Sequence, residues 1–257
     1  MFVLSSWVLT AIVFICLSGG ALLGMCLRVR LPARHLDDLT KDVVRVAMGL
    51  LATMAALVLG LMVASAKSSY DARISEFNQM SANLVLLDAT LAQYGPESME
   101  ARNLLRHAAT LILVRAWPEN ADQSSSVSAA DTTVQGRAMY TKIEQLVPKT
   151  DQQQRLQLQA LQISTNIGTM RWLLAAQQEG SSIPMPFMLV LVFWLSVLFV
   201  SFGLFAPRNA TVVATIGLCA LSISGAILLI LELARPFEGI LRISSAPLRA
   251  AIAQLGQ

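Results

Sequence analysis

Four long stretches of the sequence carry no lysine, arginine, aspartate or glutamate: residues 4–27, 46–66, 187–206 and 210–231. Each reaches the roughly 20 residues that a helix needs to cross about 30 Å of hydrocarbon, where backbone amides must be paired internally. Only 14% of the chain is charged, whereas soluble domains carry about 25% charged residues. A soluble helical bundle is disfavoured, because no soluble core helix needs every face apolar. We therefore expect an all-α membrane protein with four transmembrane helices, and not a soluble, secreted or fibrous protein.

The four spans divide the chain into parts. We predict that residues 1–66 form the first two spans, joined by a basic loop at 28–43. Residues 67–183 are predicted to form an extramembrane helical bundle inserted between the second and third spans. Residues 184–233 then form a transmembrane helical hairpin, and residues 234–257 form an interfacial amphipathic tail, which either lies along the membrane surface or docks on the outer helices. The first span lacks the basic start of a cleaved secretory signal and is too long for one, so we expect it to be retained.

Basic residues in the first loop predict which way the spans point. Four of them lie close together: Arg28, Arg30, Arg34 and Lys41. Short basic loops remain in the cytoplasm. Equal numbers of basic residues flank the spans on the two sides, so the density of this loop and the usual dominance of the first helix decide the orientation. We expect a protein of the bacterial inner membrane, with residues 67–183 in the periplasm.

The segment after the second span has a helical pattern. Apolar residues recur every three or four positions from Ile74 to Tyr94, and no glycine or proline lies between Gly60 and Gly95. The second span is therefore predicted to continue as one long helix, which ends at Gly95 and Pro96.

Three further helices are predicted in the extramembrane bundle, at 97–117, at 137–147 and in the glutamine-rich segment from residue 152. The last has apolar heptad spacing, which favours packing against the long helix. Residues 118–135 carry almost no large apolar side chain. Such a segment cannot offset its ordering entropy by burial, so we expect a flexible loop there.

The inventory of reactive side chains argues against an enzyme. The two histidines, His35 and His107, have no Cys, His, Asp or Glu partner at metal-ligand spacing. The three cysteines, Cys16, Cys26 and Cys219, lie in predicted spans, where they act as small apolar residues. No phosphate-binding loop, nucleotide fingerprint or hydrolase motif is present. We predict no catalytic residue, no metal, no cofactor and no nucleic-acid partner.

One acidic residue lies near the end of the fourth span. Glu232 either pairs with Arg235 at the membrane surface or stands with it at a pore mouth, where such charges tune ion entry. Thr211, Thr215 and Ser222 share one face of the same span. They either line a narrow pore or form hydrogen-bonding contacts between helices.

Small residues at helical spacing predict where the spans pack closely. Gly20 and Gly24 form a GxxxG motif in the first span. The second span has a small residue at every fourth position: Ala52, Ala56, Gly60 and Ala64. Because small side chains let helix backbones approach each other, we expect both spans to face the interior of the bundle.

A set of short motifs is spread along the chain: Tyr70-Asp71, Leu87-Asp88, Tyr94-Gly95-Pro96-Glu97, Trp117-Pro118 and the Phe-Gly-Leu-Phe-Ala of residues 202–206. The most specific pattern lies near the C-terminus and consists of Glu232, Pro236, Phe237, Gly239, Ile243, Ser244 and Pro247. Together these motifs resemble a bacterial membrane protein family described as bestrophin-like. The resemblance covers residues 40–250, and the family name implies kinship with anion channels.

Two functions fit these features. The first is an oligomeric bestrophin-like ion channel, a homo-oligomer embedded in the lipid bilayer. The second is a non-catalytic accessory or assembly subunit, or a helical sensor, of a larger membrane complex. Long helices continuous with the spans suit this second function equally well.

Overall fold

The computed structural model describes residues 5–30, 38–117, 129–179, 185–207, 209–235 and 240–256. Every regular element within these ranges is helical, which confirms the predicted all-α class for the described part of the chain. The α-helices are α1 (Ser6–Arg30), α2 (Asp38–Tyr94), α3 (Met99–Ala116), α4 (Ala129–Glu144), α5 (Asp151–Glu179), α6 (Met185–Phe205), α7 (Ala210–Leu233) and α8 (Ala246–Gln254). A short 3₁₀ turn, Pro96–Ser98, lies between α2 and α3.

The chain forms two compact units. The apolar unit comprises Met1–Tyr70 and Ser181–Leu241, and the polar unit comprises Asp71–Gly180 and Arg242–Gln257. Helix α2 contributes its first part to the apolar unit and its second part to the polar unit.

Four helices, α1, α2, α6 and α7, are long and apolar enough to cross a membrane. In the apolar unit they pack around a common core that includes Leu17 of α1, Leu191 and Phe199 of α6, and Ile227 of α7. The most apolar stretch of α2 is the least covered, with 6% of its residues buried, against 39% for α6. Among the described helices, these four have the length and composition of membrane spans, and α2 is the one whose surface the chain itself covers least.

Helix α2 is 57 residues long and has no break, as the absence of glycine and proline after Gly60 predicts. It ends where Gly95 adopts a φ of +126°, a value that L side chains rarely adopt. Pro96 follows and cannot donate a backbone hydrogen bond. The long helix predicted from the sequence is therefore confirmed, and so is its end.

The polar unit is a helical bundle around the second part of α2. The buried face of α2 there carries Phe77, Met80, Leu84, Leu87 and Leu91, each 1% exposed or less. Leu105 of α3, Ile143 of α4 and Ala160 of α5 are buried in the same unit. The apolar stripe read from the sequence is the face that this bundle buries.

The predicted flexible loop at 118–135 is wrong over its last seven residues, because α4 begins at Ala129. Residues 118–128 lie outside the described residues. The α4 sequence opens with alanines, which favour helix, and its later residues Met139 and Ile143 are buried. Burial downstream thus extends the helix into a segment that has little apolar surface of its own. The helix predicted at 137–147 ends earlier, at Glu144.

The C-terminal tail takes the second of its two predicted positions and docks on the outer helices. Residues from Arg242 onward belong to the polar unit. Leu248, Ala251 and Leu255 are 0%, 4% and 2% exposed. The apolar face of α8 is covered by protein in this unit, so it does not need lipid to bury it.

Candidate functional site

A groove of about 670 Å³ lies between α2, α6 and α7 in the apolar unit. Gly49 and Ala52 form part of its α2 wall, and their small side chains leave room there. A Cβ atom built on Gly49 would meet nothing within 4 Å. Phe199 and Phe202 of α6 and Ile216 of α7 form the facing walls. These walls are apolar, so the groove suits a hydrocarbon chain better than a hydrated ion.

One end of the groove is cationic. Lys41 and Arg45 line it where α2 begins, beside Ala206 after α6 and Thr211 at the start of α7. Nη1 of Arg45 lies 3.1 Å from Oδ1 of Asp42, and both side chains are largely exposed. The end of α1 is also nearby in the unit, because the Arg28 guanidinium donates to the backbone oxygen of Ala206.

The three hydroxyl residues predicted to share one face of the fourth span do not all line the groove. Thr211 and Thr215 line the groove, whereas Ser222 lies two turns further along α7 and is not among its lining residues. The Thr215 hydroxyl donates to the Thr211 backbone oxygen at 2.9 Å, and the Ser222 hydroxyl donates to that of Leu218 at 2.9 Å. These two hydroxyls are satisfied within their own helix. A pore-lining role for them stays a prediction.

Glu232 is buried, with 5% of its surface exposed. Its Oε2 accepts a hydrogen bond from the backbone N–H of Ile240 at 2.7 Å. The backbone N–H of Arg235 donates to the Glu232 carbonyl oxygen at 3.1 Å. The carboxylate therefore holds the chain that follows α7, which differs from the open pore-mouth position considered from the sequence.

Gly20 and Gly24 of α1 lie against α6. A Cβ atom on Gly24 would overlap the backbone of Val200 and lie 2.9 Å from the backbone nitrogen of Leu204. From the other helix, a Cβ atom on Gly203 would lie 3.1 Å from the backbone nitrogen of Met25. Gly203 belongs to the Phe-Gly-Leu-Phe-Ala motif of residues 202–206, but its contact with α1 was not predicted from the sequence. Three glycines thus let α1 and α6 pack backbone to backbone.

The small residues of α2 do not face the interior of the chain, so that expectation is wrong for the single protomer. Ala56, Gly60 and Ala64 are exposed, and only Ala52 is partly buried. A Cβ atom on Gly60 would meet nothing within 4 Å. The inward face of α2 carries Ala55 instead, which is 2% exposed. Small side chains allow a neighbouring helix to approach closely, but they do not determine which helix that neighbour is.

A different set of α2 residues follows a heptad pattern, and all of its members are exposed. We call it the α2 stripe: Val43, Val46, Leu50, Thr53, Leu57, Gly60 and Ala64. The steps along the chain alternate between three and four residues. This spacing is typical of helices that pack against other helices in parallel or antiparallel coils.

The Tyr94-Gly95-Pro96 motif builds the sharp turn at the end of α2 in the polar unit. Tyr94 is 3% exposed. After the turn, the Ser98 hydroxyl donates to the backbone oxygens of Leu91 at 2.5 Å and Gly95 at 2.8 Å. These bonds satisfy carbonyls that the end of a helix leaves without intrahelical partners.

Asp88, also a motif residue, is buried in an ion pair. Its two oxygens accept from Nε and Nη2 of Arg102, each at 2.8 Å, and Oδ2 also accepts from the backbone N–H of Gly256 at 3.2 Å. Burial alone would raise the pKa of Asp88. The hydrogen bonds from Arg102 and Gly256, together with the Arg102 charge, outweigh burial and hold this pKa below its ordinary value of 3.8.

Trp117 joins two motifs. Its indole Nε1–H donates to the backbone oxygen of Ile243 at 2.8 Å, and its ring packs edge-on against Phe77 with centroids 4.9 Å apart. The next motif residues start α8: the Ser244 hydroxyl accepts from the Ala246 N–H at 3.2 Å, and Pro247 stands in the first turn. The remaining members, Pro236, Phe237 and Gly239, lie outside the described residues.

A cationic cluster in the polar unit was missed from the sequence, because its members are distant along the chain. Burial, and then the nearby charge of Arg115, lower the pKa of the Arg171 guanidinium below its ordinary value. Nη1 of Arg171 lies against α4, 3.1 Å from where a Cβ atom on Gly136 would be. Helices α3 and α5 thus bring two positive charges near each other, with Arg171 lying against α4.

The described residues contain no group of three or more His, Cys, Asp or Glu side chains able to hold a metal ion. The polar side chains reported above serve mainly as structural hydrogen-bond partners. The groove in the apolar unit has basic residues at one end, and a second cavity, on α4 of the polar unit, is lined by Arg137 and Lys142.

Comparisons with known proteins place this fold. The profile of the Bestrophin-like domain matches residues 15–248. Two crystal structures of single-substitution variants of a bacterial Bestrophin homolog from Klebsiella pneumoniae have the same fold, with TM-scores of 0.59 and 0.56 and 14% sequence identity in each case. The first alignment covers 94% of this chain and 96% of that chain, and the second covers 92% and 96%.

A comparison with curated proteins finds no match. The profile nevertheless covers most of the chain. On this evidence the chain belongs to the bestrophin-like domain family.

Proposed function

We propose that this protein is a homo-oligomeric ion channel in which copies of α2 surround the conducting axis. The observation that carries the proposal is the α2 stripe, a heptad face that one chain leaves exposed. The bestrophin-like family supports it, since the family name implies kinship with channels.

The stripe has the size pattern of a helix contact. Leu50 and Leu57 are 66% and 69% exposed, and Gly60 and Ala64 add positions where a neighbouring backbone can approach closely. Copies of the same stripe arranged about an axis would bury these residues against each other, or would enclose a narrow apolar passage.

The chemistry of the stripe favours a gated passage over a charged filter. It contains one hydroxyl, from Thr53, and no ionisable side chain. Apolar constrictions gate ion flow by losing water. In this proposal, charged residues outside the α2 stripe determine which ions the channel prefers. The apolar α2 stripe determines whether water, and therefore ions, can enter the pore.

Purified protein tests the proposal in two measurements. We expect a single-particle image in detergent to show copies of one chain around an axis, and planar-bilayer recording to show discrete currents above the lipid background. A symmetric ring without conductance under any ion gradient would remove the channel. Stoichiometric co-purification with other subunits from native membranes would instead favour an accessory role.

We further propose that the protein resides in the bacterial inner membrane with the Arg28 and Arg30 side in the cytoplasm and the polar unit in the periplasm. The dense basic loop supports this orientation. In a variant with its three cysteines replaced by alanine, a cysteine at Val147, which is 79% exposed, should react with an impermeant maleimide in spheroplasts. A cysteine at Arg30 should react only after permeabilisation, and the opposite pattern would invert the topology.

A further inference from the structure

We draw no further inference here: the strongest candidate, the groove between α2, α6 and α7 in the apolar unit, is lined at one end by Lys41 and Arg45, both of which already have partners within the chain, so nothing in the structure shows what covers its apolar walls.

Discussion

The indole N–H of Trp117 donates to the backbone oxygen of Ile243 across 2.8 Å, and the two residues are 126 positions apart in the chain. Trp117 follows α3, whereas Ile243 precedes α8. Both belong to motifs that identify the family. The contact fastens the C-terminal segment to the polar unit, so at least part of the family signature marks structural contacts and not a catalytic site.

Replacing Trp117 by phenylalanine should loosen the C-terminal segment. The ring contact with Phe77 can persist, but the hydrogen bond to Ile243 is lost, which costs about 1 kcal/mol. We expect a lower melting temperature and faster tryptic cleavage after Arg249. Trp172→Phe is the control, since Trp172 is 63% exposed and should tolerate the change. Equal cleavage rates in the two variants would contradict the role of this contact.

The ion pair between Asp88 and Arg102 should matter more than any surface pair of the polar unit. Their side chains are 8% and 13% exposed, and removing one partner leaves the other charge buried. Arg102→Ala should destabilise the unit by about 3 kcal/mol. The exposed pair between Lys149 and Glu97, 72% and 41% exposed, supplies the control, because Lys149→Ala should change the melting temperature little. Similar shifts in both variants would refute this ranking.

The same ion pair predicts how stability depends on pH. Because the pKa of Asp88 is lowered in the folded state, its contribution is fully present above the ordinary value of 3.8 and is lost as the pH falls through the lower folded value. Thermal unfolding recorded from pH 6 down to pH 2.5 should therefore show a steeper loss below about pH 4 in the parent protein than in Asp88→Asn. Parallel profiles would show that Asp88 does not contribute in this range.

Local sequence patterns predicted the helices more successfully than the contacts between helices. The charge-free stretches predicted four apolar helices, and the absence of glycine and proline predicted the length of α2, because both are properties of neighbouring residues. The contact of Gly203 with α1 and the proximity of Arg115 to Arg171 depend on helices that are distant in sequence. Neither could be predicted without the fold.

The positions predicted for the small residues of α2 and for Glu232 differ from the structure for the same physical reason. The small residues around Gly60 allow close packing, but one chain offers them no neighbour, so their partner must be sought outside the protomer or in the lipid. Glu232 has the charge of a pore-mouth residue, yet it is 5% exposed in one chain, and its carboxylate accepts a hydrogen bond from the Ile240 amide. Residue type limits what a site can do, and tertiary contacts decide what it does.

The glycine contact between α1 and α6 should be intolerant of even one methyl group. Gly24→Ala would push a Cβ atom into the backbone of Val200, and overpacking of this kind costs about 1–3 kcal/mol. Gly19→Ala, on the same helix with nothing within 4 Å, should instead be neutral or stabilising by up to about 1 kcal/mol, as alanine is the better helix former. Melting temperatures of the two variants in one detergent check the prediction. It fails if Gly24→Ala is as stable as Gly19→Ala.

A polar residue in the middle of the α2 stripe should change conduction without changing assembly. If copies of Leu57 enclose an apolar constriction, Leu57→Gln wets it, and we expect a higher open probability or larger unitary current in bilayer recordings. Leu189→Gln is the matched control, because Leu189 of α6 is equally exposed, at 69%, but lies on another helix. Both variants should keep the subunit number of the parent protein. Currents that respond equally to the two substitutions would exclude α2 as the helix that lines the pore.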